Sequence, residues 1–355
     1  MTHFTISSTA TDSGITLHTL SNTSGMRVTV SNRGAALVSW WAPDRYGRLA
    51  DILLGYKAED EYVANPAYFG AIVGRWCNRI ADGRFSLDGV DYQVQRNEGD
   101  NHLHGGSSGF HASPWQVQPD PEGLRMTVVS PDGAAGFPGN VLASVLYRLD
   151  ADGALRIDYT ATTDAPTPLN LTSHGYFNLN GGVGDIRDHV LSIDADAYLP
   201  IDKGLIPERR ADVAGSAFDF RQPAPIGPRL AWPDEQLKVA GGFDHCYCLR
   251  PAERDGEADA GQDARPLREV ATVYDPGSGR ELTVSTTEPG LQFYSGNFLE
   301  GVQGRGELAY AKHDGFCLEA QAYPNQVNMP EREAVILRPG QIYRQSTMYR
   351  LSVRQ

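Results

Sequence analysis

Turn signals punctuate this sequence at short intervals. Asp-Gly pairs occur at 82–83, 88–89, 132–133 and 152–153, and an Asn-Gly pair occurs at 180–181. Such pairs between short apolar runs favour tight turns between antiparallel strands, because both residues tolerate the positive φ that these turns need. Long segments with helical periodicity are scarce. We therefore predict a nearly all-β fold built from many antiparallel strands.

Local patterns predict individual elements. Residues 85–94 predict a β-hairpin, and residues 114–162 predict a meander of four strands. The polar residues 58–68 predict a short helix. Residues 168–179 predict a strand, whereas the many prolines and weak periodicity of 212–240 predict a loop.

The domain organisation is predicted to be simple. A chain of 355 residues can bury one large core, and we find neither a fixed repeat nor a linker. We predict a single domain over residues 1–355. Residues 251–265 are rich in charge and poor in apolar side chains, so they predict a mobile surface insertion.

Charge and cysteine content limit the classes of binding partner and the cellular compartment that we expect. The formal net charge is −13, with 44 acidic and 31 basic residues, which argues against nucleic acid or an anionic membrane as a partner. Cys77, Cys246, Cys248 and Cys317 have no disulfide or zinc spacing, so we expect buried free thiols in a reducing compartment. The first residues do not resemble a signal peptide, and we expect a cytoplasmic protein.

An acidic residue interrupts an apolar strand pattern at 316–321. Phe316, Leu318 and Ala320 fall on one face, and Cys317 and Glu319 fall on the other. Burying an unpaired carboxylate is expensive, so Glu319 must reach either water or polar partners. A strand glutamate that faces solvent would satisfy the same pattern.

Other polar residues also interrupt apolar strands, most of them near a glycine or proline. The set is Asn78, Arg79, His104, His174, Asp244, Gln292 and Glu319. Side chains of these types bind one or two hydroxyl oxygens each, so their convergence would form a site for a ligand covered in hydroxyl groups. Taken singly, each has a structural explanation: a strand histidine can be hydrogen-bonded internally, and Arg79 can pair with a surface carboxylate.

Six segments together resemble the aldose 1-epimerase (galactose mutarotase) family. They are GRWCNRI at 74–80, LHGG at 103–106, NLTSHGYFNL at 170–179, FDH at 243–245, QFYSGN at 292–297 and GFCLEAQ at 315–321. They follow the family order and span most of the chain. Phe243, where the family commonly has tyrosine, and Ala320, where it commonly has threonine, depart from the pattern.

The resemblance implies a large antiparallel β-sandwich that interconverts the α and β anomers of a free aldose without a cofactor. It implies that Glu319 is the general base and His174 the general acid. It also implies that the substrate-binding residues are Asn78, Arg79, His104, Asp244 and Gln292. The expected partner is a monosaccharide, with no nucleic acid or membrane, and the chain is expected to be a monomer or homodimer. Which aldose is preferred stays open.

This chemistry sets requirements on the two catalytic candidates. Ring opening of a sugar hemiacetal removes the proton on O1 and adds one to the ring oxygen O5. Glu319 suits the base because an ordinary glutamate, with a pKa of about 4.3, is ionised at neutral pH. His174 would have to be substantially protonated, and we expect nearby carboxylate charge to favour that form.

Three alternatives stay open, two from other classes of function and a third within the same superfamily. His102 and His104, with Glu319 or His174, could form a metal site of two histidines and one carboxylate. A non-catalytic sugar-binding module would need the hydroxyl-binding residues but not an acid–base pair. A hexose-6-phosphate 1-epimerase would need additional cationic groups, and no Arg/Lys cluster accompanies the motifs.

Overall fold

A computed structural model describes residues 4–251, 265–306 and 309–355. The strands of the first part of the chain are β1 (Phe4–Ala10), β2 (Thr16–Asn22), β3 (Arg27–Ser31), β4 (Leu37–Pro43), β5 (Leu49–Asp51), β6 (Ile72–Val73), β7 (Arg79–Ile80), β8 (Arg84–Leu87), β9 (Val90–Gln93), β10 (His102–Leu103), β11 (Gln116–Asp120), β12 (Gly123–Ser130), β13 (Val141–Leu149) and β14 (Ala154–Thr163).

The second part adds β15 (Thr167–Pro168), β16 (Thr172–Ser173), β17 (Val190–Ile193), β18 (Ala195–Leu199), β19 (Ala211–Asp212), β20 (Ala224–Pro225), β21 (Asp244–Leu249), β22 (Arg268–Tyr274), β23 (Arg280–Thr286), β24 (Gly290–Tyr294), β25 (Cys317–Gln321), β26 (Ile336–Leu337) and β27 (Tyr343–Val353). Two short α-helices are α1 (Ile226–Leu230) and α2 (Glu235–Ala240). Short 3₁₀ helices cover Glu59–Val63, Ala81–Gly83, Gly106–Ser108, Phe110–Ala112, Ala134–Gly136, Gln326–Asn328 and Arg332–Val335.

Three larger sheets account for most of these strands. The first is a five-stranded meander, β1-β2-β3-β4-β5. The second is nine-stranded, in the order β11-β12-β13-β14-β27-β23-β22-β17-β20. The third, which we call the site sheet, is β19-β18-β21-β24-β25. All neighbouring strands that pair in these sheets are antiparallel.

The hydrophobic core lies between the sheets. One cluster of buried side chains runs from Leu20 to Leu351 and includes Tyr147 of the nine-stranded sheet and Leu318 of the site sheet. In the nine-stranded sheet, β14 alternates between buried and half-buried residues, as a strand with one covered face should. Strands β21, β24 and β25 are buried along their whole length, so the site sheet is covered on both faces.

Several predictions from the sequence are confirmed. The chain is an all-β sandwich, β8 and β9 form the predicted hairpin, and β11 to β14 form the predicted four-stranded meander. A 3₁₀ helix, Glu59–Val63, occurs within 58–68. All four cysteines are buried free thiols.

The prediction that 212–240 is entirely loop is wrong, because α1 and α2 lie there. Helix α2 has a side-chain cap at its N-terminus, where Asp234 accepts a hydrogen bond from the Gln236 amide at 2.8 Å. It ends at Gly241, whose φ of 68° terminates the helix. These local caps outweigh the weak periodicity.

The prediction of one strand over 168–179 is also wrong. Only β15 and β16 are strands there, and Asn170 and Phe177 make isolated bridges. Most of the predicted mobile insertion, residues 252–264, lies outside the described residues, and the single-domain prediction stays a prediction. In the described part of the chain no helix has the length and apolar character needed to cross a membrane.

Buried Arg75 joins the segment that carries Asn78 and Arg79 to the turn after β12. Its guanidinium donates to Ser130 Oγ at 2.9 Å, to the Ser130 carbonyl at 2.8 Å, to the Pro131 carbonyl at 2.6 Å and to the Pro138 carbonyl at 2.8 Å. Buried carbonyl groups need such donors because an unsatisfied polar group costs about 1–3 kcal/mol. Arg75 is therefore a structural residue.

We predict that Arg75→Leu lowers the free energy of unfolding by roughly 2–4 kcal/mol, because several carbonyl acceptors lose their donor together. Urea unfolding followed by circular dichroism measures the change. The control is Arg209→Leu at an exposed position, which should stay within about 0.5 kcal/mol of the parent. Equal effects of the two substitutions would show that the Arg75 contacts contribute nothing to stability.

Candidate active site

Three of the predicted polar residues lie side by side on the site sheet. Gln292 in β24 pairs directly with Glu319 in β25, and Asp244 begins the neighbouring strand β21. Gln292 Nε2 donates to Asp244 Oδ1 at 2.7 Å. The antiparallel register therefore aligns a carboxylate, an amide and a second carboxylate.

Arg79 connects these three side chains to the loop that carries Glu98, which was not among the predicted site residues. Its Nη1 lies 3.8 Å from Asp244 Oδ2. Its Nε and Nη2 bind the two carboxylate oxygens of Glu98 at 2.6 and 2.7 Å. A bidentate pair of this kind fixes the guanidinium plane, so Glu98 orients Arg79 toward Asp244.

The hydrogen-bond pattern defines the tautomer of His104. The backbone N–H of Asn78 donates to His104 Nδ1 at 3.1 Å, so in the neutral ring the hydrogen is on Nε2. The Asn78 side-chain oxygen also accepts from the Arg79 amide at 2.8 Å. Both Asn78 and His104 adopt a positive φ, 62° and 53°. His104 is therefore a hydrogen-bond donor through Nε2.

His174 and Glu319 face one another. Nε2 of His174 lies 3.8 Å from Glu319 Oε1, and both side chains are buried. The His174 ring stacks on Tyr176, with centroids 5.0 Å apart, and more distantly on Tyr68, at 5.9 Å. Potential ligand atoms of His104, His174 and Glu319 all lie within 4.8 Å of one another.

The structure thus brings all seven predicted polar residues into one contiguous group. Two of its buried oxygens, Gln292 Oε1 and Glu319 Oε2, have no hydrogen-bond partner among the described residues. Buried polar atoms are normally paired. These two oxygens can accept hydrogen bonds from groups outside the described residues.

Burial controls the ionisation of the acid–base candidates. Loss of solvation lowers the pKa of His174 to about 4. Burial also raises the pKa of Glu319 well above its usual range; the Asp244 charge adds to this effect and Arg79 opposes it. The pKa of Asp244 is raised by burial too, against the effects of Arg79 and Gln292.

The expectation that His174 is substantially protonated is therefore wrong for the unliganded protein. Desolvation of the ring lowers the pKa more than the backbone hydrogen bond of His174 raises it, and the charge of His111 lowers it further. In the free protein the proton is instead favoured on Glu319, whose charged form is penalised by the same burial. Burial thus favours the neutral form of both groups.

A separate cavity of about 670 Å³ lies elsewhere in the fold and contains none of these seven residues. Its lining includes Asn170, Glu288, Tyr343 and Gln345. The Asn170 side chain donates to the Ala322 carbonyl and accepts from the Ala322 N–H. The side-chain oxygen and nitrogen of Gln345 are also both hydrogen-bonded to protein groups. The cavity differs from the site described above because its lining contains neither His174 nor Glu319.

The donor set fits the metal-site alternative poorly. His102 Nε2 accepts from the Gly105 amide at 3.1 Å, and its Nδ1 contacts the Gln95 carbonyl at 2.7 Å. Both of its ring nitrogens are therefore occupied. His104 carries its hydrogen on Nε2, whereas a metal ligand must offer a lone pair there.

Sequence inspection missed several residues of the site. Glu98 lies in a polar turn with no apolar context, so no pattern marks it. Tyr68 precedes an apolar run and reads as ordinary core. Cys317 shares a strand face with Glu319, and that alternation was a usable signal.

Fold and site together define a β-sandwich with a buried carboxyl–imidazole pair among buried polar side chains. The family model described as "Aldose 1-epimerase" matches residues 16–350. The chain belongs to the aldose 1-epimerase family.

Named relatives match the chain along nearly its whole length. Galactose mutarotase of Bos taurus is 42% identical over 331 residues, covering 92% of each chain. Aldose 1-epimerase of Escherichia coli K12 is 42% identical over 337 residues, covering 94% of each.

Solved structures share the fold. An aldose epimerase homologue from C. elegans superimposes with a TM-score of 0.84 at 27% identity, covering 94% of this chain and 97% of that one. Galactose 1-epimerase from Lactobacillus acidophilus gives a TM-score of 0.83 at 28% identity, with full coverage of both chains.

We predict that His174 stays neutral between pH 7 and pH 5 in the folded protein and gains a proton only near pH 4. An ordinary histidine, with a pKa of about 6.5, would be mostly protonated at pH 5. Ring ¹⁵N NMR of histidine-labelled protein measures this, with the signal assigned by its loss in His174→Asn. Urea-unfolded protein is the control. A folded-state midpoint at or above 6.5 would contradict the prediction.

Proposed function

We propose that this chain is an aldose 1-epimerase that interconverts the α and β anomers of free aldoses such as galactose and glucose. The observation that carries the proposal is the distance of 3.8 Å between His174 Nε2 and Glu319 Oε1, inside a group of buried polar side chains. The relatives named galactose mutarotase and aldose 1-epimerase support the same activity.

The distance suits the reaction because O1 and O5 of the sugar are bonded to the same carbon. A base that takes the O1 proton and an acid that protonates O5 must therefore lie next to each other. After ring opening, the C1–C2 bond rotates and the ring closes on the other face of the aldehyde. In the closing step the two groups exchange roles.

One shared proton is enough for this cycle. When it resides on His174, Glu319 is the base and His174 the acid for ring opening. In the free protein burial favours the proton on Glu319. A substrate hydroxyl that donates to the unpaired Glu319 Oε2 would stabilise the carboxylate and so favour transfer of the proton to His174.

The remaining residues are proposed to hold the hydroxyls that do not react. Arg79 and His104 Nε2 are donors, and Asp244 and Gln292 Oε1 are acceptors. Asn78 supports the site through its backbone bond to His104 and its side-chain bond to the Arg79 amide. Their contribution is orientation of the substrate.

A phosphorylated sugar is disfavoured by the charge around Arg79. This guanidinium is bonded to Glu98 and lies beside Asp244, so its positive charge is already compensated. The hexose-6-phosphate alternative therefore gains no support.

We further propose that the chain acts as a single domain in the cytoplasm, as a monomer or homodimer. Assays with several aldoses identify the preferred substrate.

Polarimetry on freshly dissolved α-galactose tests the function, and coupled assays over a panel of aldoses rank the substrates. We expect equilibration to accelerate in proportion to protein concentration. A non-catalytic sugar-binding module would bind galactose in calorimetry and leave the polarimetric rate at its spontaneous value, which would refute the proposal.

We predict that Glu319→Gln and His174→Asn each lower kcat by about 10²–10⁴-fold, because each removes one member of the acid–base pair. Circular dichroism should show that both variants fold. The matched control is Glu208→Gln at an exposed position, which should keep full activity. An undiminished rate in Glu319→Gln would refute the base assignment.

We predict that Glu98→Gln raises KM for galactose roughly fivefold and changes kcat less. The neutral amide loses the charge-assisted bidentate bond that orients Arg79. Steady-state mutarotation kinetics measure both constants, with Glu208→Gln again as the control. A parental KM would mean that Arg79 keeps its position without the Glu98 charge.

A further inference from the structure

The side of the catalytic imidazole that faces away from Glu319 contacts a buried thiol. Cys317 Sγ lies 3.5 Å from His174 Nδ1, and Cys317 is fully buried. Cys317 and Glu319 are two residues apart in β25 and share one strand face. A single strand therefore presents a partner to each of the two ring nitrogens of His174.

We propose that Cys317 is a positioning residue for His174. Its sulfur accepts a hydrogen bond from Nδ1–H and so holds the neutral ring in the Nδ1–H tautomer. Nε2 is then the nitrogen that exchanges a proton with Glu319 and the substrate. The inference rests on the proposed mutarotase function and adds the residue that orients its acid.

The neighbours of Nε2 determine which way this bond runs. Nε2 faces Glu319 Oε1, and burial favours the protonated carboxyl there. We infer that Nε2 presents its lone pair to this neutral carboxyl, which places the ring hydrogen on Nδ1, toward the sulfur. Burial also raises the pKa of the Cys317 thiol, so the acceptor is a neutral thiol.

Besides the backbone of His174 itself, whose hydrogen bond raises the pKa of the ring, the other groups that face the ring do not offer a comparable acceptor to Nδ1. They are Tyr68 and Tyr176, which stack on the ring, His104, which meets it edge-on, and Glu319, on the side of Nε2. The charge of His111, on the segment after the His104 loop, lowers the pKa of His174. Among the described residues, Cys317 is the hydrogen-bond partner of Nδ1.

A weak acceptor at this position suits a reaction that runs both ways. A carboxylate on Nδ1–H would stabilise the imidazolium strongly and make His174 a reluctant acid. A thiol sulfur orients the ring with little stabilisation of its charged form. His174 can then give a proton in ring opening and take one back in ring closure.

Substitutions at position 317 test the proposal. We expect Cys317→Ala to lower kcat about tenfold with little change in KM, and its His174 ring to become a mixture of both neutral tautomers in ¹⁵N NMR. Cys317→Ser keeps an acceptor and should keep the single Nδ1–H tautomer and activity within about threefold. Because a hydroxyl is the stronger acceptor, it should raise the His174 pKa by about one unit.

The control is Cys248→Ala, which removes a buried thiol from a different part of the site sheet and should leave kcat and the tautomer unchanged. Three outcomes overturn the proposal: an Nε2–H tautomer in the parent protein, a kcat loss in Cys317→Ala without a tautomer change, or a Cys317→Ser variant as impaired as alanine. If Cys317→Ala does not fold, the serine variant and the parent spectrum decide.

Failure of the proposed function has a different signature. A parent protein that does not accelerate mutarotation refutes the enzyme assignment, yet its ¹⁵N spectrum still reports whether Nδ1 carries the hydrogen beside Cys317. An active parent with the wrong tautomer refutes only the role of the cysteine.

Discussion

The pairing of β24 with β25 is the constraint on which the site depends. It places Gln292 directly opposite Glu319, and the pairing of β21 with β24 brings Asp244 alongside. Side chains alternate between faces along a strand, so a slip of one residue would turn Glu319 to the opposite face. The site sheet is buried on both faces, and the apolar residues between the polar ones hold this register. The same strand register therefore packs the apolar core and places the polar side chains of the site.

Burial of the site then decides its electrostatics. Glu319, Asp244 and His174 are nearly inaccessible to solvent, and desolvation shifts the pKa of each toward its neutral form. Arg79 is the one cation of the group and is shared between Asp244 and Glu98. A carboxyl and an imidazole that both prefer neutrality form the charged pair only when the substrate stabilises it. That balance suits a reaction whose forward and reverse steps use the same two groups.

The sequence predicted the fold class and singled out the polar residues that the structure brings together, because both leave local signals. Alternation in β25 identified Glu319, and glycine-rich breaks marked His104 and Asn78. Other features depend on contacts between distant segments. Glu98 reaches Arg79 across a turn that carries no apolar pattern, and the tautomer of His104 depends on one backbone amide. The low pKa of His174 reflects burial by several elements, which composition does not report, so the expected protonation was wrong. Helix α2 in 212–240 is delimited by caps rather than by periodicity.

The positive φ angles of Asn78 and His104 have a consequence for efforts to redirect this protein to other sugars. Branched side chains are strained in that conformation, so a library randomised at these two loop positions would contain many variants that distort the backbone. The strands of the site sheet carry no such restriction at Gln292 and Asp244. Substitutions should therefore be made first at the strand positions Gln292 and Asp244, with the two loop residues unchanged.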